Sequence, residues 1–155
     1  ALFKQWGGKY EPDGIPEGLN RELVFEVLEP TKIYAKPLLK AAEEHQIKAA
    51  VHITGDAYLK FNRLMNFSKR IGFTFNNFQP QAIFRLIQKT GNITDEEMLK
   101  TFNMGWGFAI IVDRKELDEV LDCLEQCGTE AEQIGVVTDV GKTVVIYEGR
   151  KIVLA

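Results

Sequence analysis

Cysteine and histidine are both scarce in this chain, with two of each among 155 residues. Cys123 and Cys127 stand four apart inside a helical pattern, with no second cysteine pair and no histidine near them in the sequence, so neither a disulfide framework nor a zinc finger is encoded. They read as reduced thiols on one helix, one largely buried and one at its end. No apolar run approaches the roughly 20 residues that a helix needs to cross a bilayer, which excludes a helical membrane span. Basic charge is not in surplus: 19 Lys and Arg face 22 Asp and Glu. The resulting net charge of -3 lacks the excess with which a dedicated nucleic-acid binder displaces counterions from phosphates. A Walker sequence, a G-x-S-x-G elbow and an H-E-x-x-H metal helix are all missing, so the sequence names no catalytic residue and no metal ligand. There is also no signal-peptide pattern behind Ala1, and the chain reads as processed or as a portion of a longer polypeptide.

Apolar residues make up 45% of the chain, enough for one globular domain that buries about two-thirds of its unfolded surface. Residues 1–19 hold Gly7-Gly8, Pro12-Asp13-Gly14 and Pro16, a density of turn formers that predicts an irregular connection. A short helix is expected over Leu23–Leu28. An extended stretch Thr31–Tyr34 follows, and then a helix opened by Pro37 and running to about His45. Ile47–Ile53 and Phe108–Val112 are apolar enough for strands buried on both faces. Between them the pattern predicts a helix from Ala57, a strand Gly72–Phe75, a helix from Pro80 to Gly91, and a short helix capped by Thr94 and Glu97. Asp113 and Glu116 repeat the capping spacing ahead of an amphipathic helix ended by Gly128. Three strands close the chain, Ile134–Val137, Thr143–Tyr147 and Lys151–Leu154, the last two joined at Glu148-Gly149. The order describes an α+β domain in which helices cover a mixed β-sheet.

Charge is unevenly spread. Residues 32–89 carry ten Lys or Arg against three acids, whereas residues 90–135 carry three against eleven. The basic half is either a set of solvated helix faces or a surface suited to an anionic small molecule.

Two turns have chemical promise. His52-Ile53-Thr54-Gly55 ends a strand just before a helix, where unpaired amides, a flexible glycine and a hydroxyl together suit phosphate; the plain alternative is a strand-to-helix turn capped by Thr54. Thr101-Phe102-Asn103-Met104-Gly105-Trp106-Gly107 is a glycine-rich turn feeding a strand. Its glycines admit a ligand or another backbone, and Asn103 offers both donor and acceptor. It is no dinucleotide fingerprint, because it runs from helix to strand and lacks a third glycine.

These two turns, taken with Glu29-Pro30-Thr31-Lys32-Ile33-Tyr34-Ala35-Lys36-Pro37-Leu38-Leu39, with Ile83-Phe84-Arg85-Leu86-Ile87-Gln88-Lys89-Thr90-Gly91-Asn92-Ile93 and with Glu97-Met98-Leu99-Lys100, stand in an order that resembles the aminoimidazole ribonucleotide synthetases. That family is also called phosphoribosylformylglycinamidine cyclo-ligase. The resemblance covers its C-terminal domain, here residues 20–155, with residues 1–19 as the connection from an N-terminal ATP-binding domain. It implies a partly ferredoxin-like topology and a cytoplasmic, homodimeric enzyme of purine biosynthesis. In such an enzyme ATP, accompanied by Mg²⁺, activates the formyl oxygen of formylglycinamidine ribonucleotide and an internal nitrogen closes the imidazole ring. The ATP-binding half and its His-Ser-Asn-Gly junction are not in this sequence, so the chain alone is expected to be inactive.

Residue by residue, His52, Thr54 and Gly55 match the start of the family's His-Ile-Thr-Gly-Gly-Gly motif, and Asn103, Gly105 and Gly107 match Phe-Asn-Met-Gly-x-Gly. The resemblance implies that all six face the ribonucleotide. Asp56 and Ala57 replace the second and third glycines of the first motif, and an acid there opposes phosphate binding. Two other classes stay open: the equivalent domain of relatives such as thiamine monophosphate kinase, selenophosphate synthetase and a hydrogenase maturation protein, and a stand-alone regulatory or dimerisation module.

Overall fold

The computed structural model describes residues 2–68, 70–76 and 79–154. Five α-helices and six strands are assigned among them: α1 (Leu23–Val27), α2 (Ala35–Glu44), β1 (Ala49–His52), β2 (Gly72–Phe75), α3 (Ala82–Gly91), α4 (Asp95–Thr101), β3 (Phe108–Ile111), α5 (Leu117–Gln126), β4 (Gly135–Thr138), β5 (Thr143–Tyr147) and β6 (Arg150–Leu154). The strands do not form one sheet. β1 and β3 pair as an antiparallel ribbon, while a mixed four-stranded sheet runs β4-β2-β5-β6 with β2 and β5 parallel. None of the described helices is long and apolar enough to cross a membrane.

The ribbon corrects the expectation of two doubly buried strands. In β1 only Val51 is buried, and every residue of β3 is half-buried. With a single hydrogen-bonded neighbour each among the described residues, these strands keep one edge without a strand partner, although side chains pack on both faces of the ribbon. Inward Val51 and Ile53 join the main core, whereas Ile110 packs with Ala41, Val120, Cys123 and Leu124 of α2 and α5. Both cysteines are free thiols, Cys123 buried and Cys127 half-buried at the helix end.

The segment Ala57–Asn66 is a 3₁₀ helix rather than the α-helix expected. Tyr58, Phe61 and Leu64 are spaced by three, and three residues per turn stacks them on one side. Tyr58 and Phe61 are buried against Phe75 and Phe73 of β2, with Phe61 and Phe75 ring centres 4.9 Å apart. Met98 and Leu99 of α4 and Val145 and Tyr147 of β5 complete this core.

Helix ends also differ in detail. α2 begins at Ala35, which leaves Pro37 in the first turn, where its missing N–H has no partner to lose. Asn92, not Gly91, takes the left-handed cap of α3. Thr94 accepts from the Glu97 amide as its spacing predicts, but the Asp113 side chain makes no cap bond, and a 3₁₀ turn over Arg114–Glu116 leads into α5 instead. Residues 2–19 are irregular apart from a 3₁₀ turn and one bridge, and they are anchored by Leu2, Phe3, Tyr10 and Leu19 against Leu23, Ile83 and Leu86.

One contact fixes where β3 starts. The Tyr34 hydroxyl lies directly over buried Gly107, in the space that a Cβ would occupy. Gly107→Ala is expected to destabilise the fold by about 1–3 kcal/mol through overpacking, and Tyr34→Phe, which deletes the nearest atom, to recover about half of that in a double-mutant cycle. Phe61→Ala, at the centre of the aromatic core, is expected to cost about 3–5 kcal/mol in chemical denaturation.

Candidate functional site

Antiparallel pairing places the end of β1 opposite the start of β3, with His52 paired to Phe108. The chain leaving β1 and the chain entering β3 therefore emerge at the same end of the ribbon. Two hydrogen bonds hold these loops together: the Ile53 amide donates to the Gly107 carbonyl at 2.8 Å, and the Tyr58 hydroxyl donates to the Asn103 carbonyl at 2.8 Å. Burial pushes the Tyr58 phenol far above its ordinary range, so it stays neutral and remains a donor.

The 101–107 turn is shaped by its own side chain. Asn103 Oδ1 accepts from the Gly105 amide at 3.1 Å, and the Asn103 carbonyl also accepts from the Trp106 amide at 3.1 Å. Met104 and Gly105 take positive φ of 60° and 118°. For Gly105 a side chain is excluded twice, by this backbone and by Gln81, whose side chain a Cβ would meet at 2.8 Å. The Gln81 amide donates to the Met104 carbonyl at 3.2 Å, which docks the start of α3 on the turn.

The result is an open depression of about 280 Å³ lined by Ile53, Thr54, Phe84, Thr101, Phe102 and Asn103. Of the six residues singled out in the sequence, Thr54 and Asn103 form its wall. Gly55 and Gly105 belong to the two loops without lining it, and Gly107 is covered by Tyr34. His52 points to the other face of the ribbon, where its exposed ring stacks on Phe108 at 5.7 Å and meets Tyr34 edge-on at 6.1 Å. All four sequence motifs thus reach this end of the molecule, through Tyr34, residues 52–55, Phe84 and residues 101–107.

The first loop keeps the backbone that glycines would favour without having them. Asp56 and Ala57 both sit at positive φ, 65° and 37°. The Asp56 carboxylate pairs with Arg63 at 3.2 Å on the exposed surface, so the acid is partly neutralised rather than facing the depression alone. The amides of Thr54, Ala57 and Leu59 bond to the carbonyls of His52, Thr54 and Asp56 respectively, so three amides of this turn are engaged by its own backbone. Lys60 Nζ donates to Thr54 Oγ1 and to the His52 carbonyl, the latter at 3.1 Å. Motif and spacing do not single out Lys60; its only trace in the sequence is the basic surplus of residues 32–89.

A family model described as AIR synthase related protein, C-terminal domain, matches residues 3–148. The phosphoribosylformylglycinamidine cyclo-ligase of Methanocaldococcus jannaschii is 38% identical over 83% of this chain and 39% of its own length. That of Alkaliphilus metalliredigens is 35% identical over 90% of this chain and 41% of its own. The chain therefore spans about two-fifths of the length of these relatives. A chain in the crystal structure of the HypE-HypF complex superposes with a TM-score of 0.59 at 18% identity, covering 86% of this chain and 48% of that one, a likeness of fold. Matched by that model over nearly all of its residues, the chain belongs to the AIR synthase related proteins as their C-terminal domain.

Proposed function

We propose that this chain forms one wall of the ribonucleotide cleft of an ATP-dependent cyclo-ligase, the enzyme that closes the imidazole ring of formylglycinamidine ribonucleotide in purine biosynthesis. The observation that carries the reading is the convergence of residues 52–55 and 101–107 on one depression, tied by the Ile53–Gly107 hydrogen bond. Relatives named for this activity support it, at identities of 35–38%. In this reading residues 1–19 are the connection and residues 20–155 the domain, joined in a cytoplasmic homodimer to an N-terminal half that carries ATP.

The chemistry of the wall suits a sugar phosphate. The Thr54 hydroxyl, held by the Lys60 cation behind it, stands at one rim, and Asn103 stands at the other. Phe84, Phe102 and Ile53 give an apolar floor that keeps water away from the bound face. His52, Gly55, Gly105 and Gly107 act behind this wall by holding the two loops in position rather than by lining it.

The residues present do not fit magnesium. Mg²⁺ beside a bound phosphate is held through one or two carboxylates, and the residues that line the depression, Ile53, Thr54, Phe84, Thr101, Phe102 and Asn103, include none. Nucleotide and Mg²⁺ are accordingly assigned to the N-terminal half, and this chain's part in the reaction is to bind and orient the ribonucleotide.

In the complete polypeptide, Asn103→Ala and Thr54→Ala are each expected to lower kcat/KM by roughly tenfold or more, through loss of a hydrogen bond to substrate. Unchanged steady-state kinetics in both variants contradict the assigned contacts. The isolated chain is expected to show no ring closure, and turnover by the purified 155-residue protein contradicts the division of labour.

A further inference from the structure

The sequence offers no histidine near its cysteines, yet the fold supplies one. α2 packs on α5 through Ala41, Val120, Cys123 and Leu124, and this contact turns the Cys123 thiol toward the last turn of α2. Glu44 ends that helix and His45 caps it. Cys123 Sγ stands 3.4 Å from Glu44 Oε2, and one ligand atom from each of Glu44, His45 and Cys123 lies within 4.8 Å of the others. The backbone at this corner is fixed, with the His45 amide bonded to the Ala41 carbonyl at 2.9 Å and the Ile47 amide to the His45 carbonyl at 3.2 Å.

We propose that Glu44, His45 and Cys123 form a transition-metal site, with zinc the metal that their chemistry best suits. Donors in a tetrahedral site with bonds of about 2.0–2.3 Å stand roughly 3.3–3.8 Å apart, so the Cys123–Glu44 spacing already matches and only a small side-chain adjustment closes the triad. Thiolate with imidazole selects zinc or cobalt over magnesium and calcium, which require oxygen. Three protein ligands leave the fourth position to water.

Coordination replaces the proton of the Cys123 thiol, which passes to solvent, and the Lys40 ammonium now paired with Glu44 gives way to the metal. The charged and titratable groups around the site include Lys40 and Glu43 on α2, Cys127 at the end of α5, and Glu116, whose carboxylate accepts from the Gln46 amide at 3.2 Å. Because the ligands come from α2 and α5, a bound ion clamps together the two helices packed beside the β1–β3 ribbon. The site adjoins the start of β1 and the depression lies beyond its end, so the proposal does not depend on the assignment of substrate.

The test is titration of the reduced, metal-free chain with Co²⁺ and then Zn²⁺. The expected result is one equivalent of cobalt bound with a thiolate-to-metal charge-transfer band and the intense visible bands of four-coordinate cobalt, both bleached by zinc. Cys123→Ser is expected to abolish the charge-transfer band, His45→Ala and Glu44→Gln to weaken binding about tenfold or more, and Cys127→Ser to leave it intact. Zinc should also raise the melting temperature of the wild-type chain and not that of Cys123→Ser. Circular dichroism before metal addition checks the fold of each variant, and the solvent-accessible Glu44→Gln provides a readout even where the Cys123 variant fails to fold. No thiolate band in the wild-type chain, or an equal band after Cys123→Ser, overturns the proposal.

Discussion

The antiparallel pairing of β1 with β3 is the constraint on which the rest depends. Its register sets His52 opposite Phe108, and the pairing is extended past the strand ends by the bond from the Ile53 amide to the Gly107 carbonyl. Two loops separated by some fifty residues in sequence are thereby made neighbours, and everything proposed for the depression follows from that adjacency. Among the described residues no further strand braces the ribbon. It is held instead by the aromatic core on one face and by α2 and α5 on the other, with Tyr34 closing the corner over Gly107.

Packing and site are linked through single side chains with two roles. Tyr58 is fully buried in the core, yet its hydroxyl fixes the Asn103 carbonyl, so the position of the second loop is set from inside the hydrophobic cluster. The left-handed backbone at Asp56 and Ala57 reflects the same geometry, because the chain must turn sharply from β1 into the 3₁₀ segment whatever residues stand there.

Much of this is legible in the sequence where the signal is local. The helices at 35–44, 82–91 and 117–126 and the strands at 72–75, 143–147 and 150–154 follow from apolar spacing, caps and the Glu148-Gly149 turn, whose residues both take positive φ. Of the six residues that the family resemblance turns toward the ribonucleotide, Thr54 and Asn103 are the two that line the depression. What escapes the sequence is tertiary. The strands at 49–52 and 108–111 look like inner strands because apolar composition does not report how many neighbours a strand will have. A run spaced by three serves a 3₁₀ helix as well as an α-helix. Lys60 reaches Thr54 only after the 56–57 turn folds it back, and Cys123 meets His45 only because α2 and α5 pack together.

The central claim is that the two loop ends grip one ligand between them. A crystal structure of the complete polypeptide carrying this chain, with the ribonucleotide bound, tests it most directly. Ordered ligand touching Thr54 and Asn103 at once, within the depression that Phe84 also lines, is the expected result. Ligand seated elsewhere, with neither loop touching it, contradicts the account.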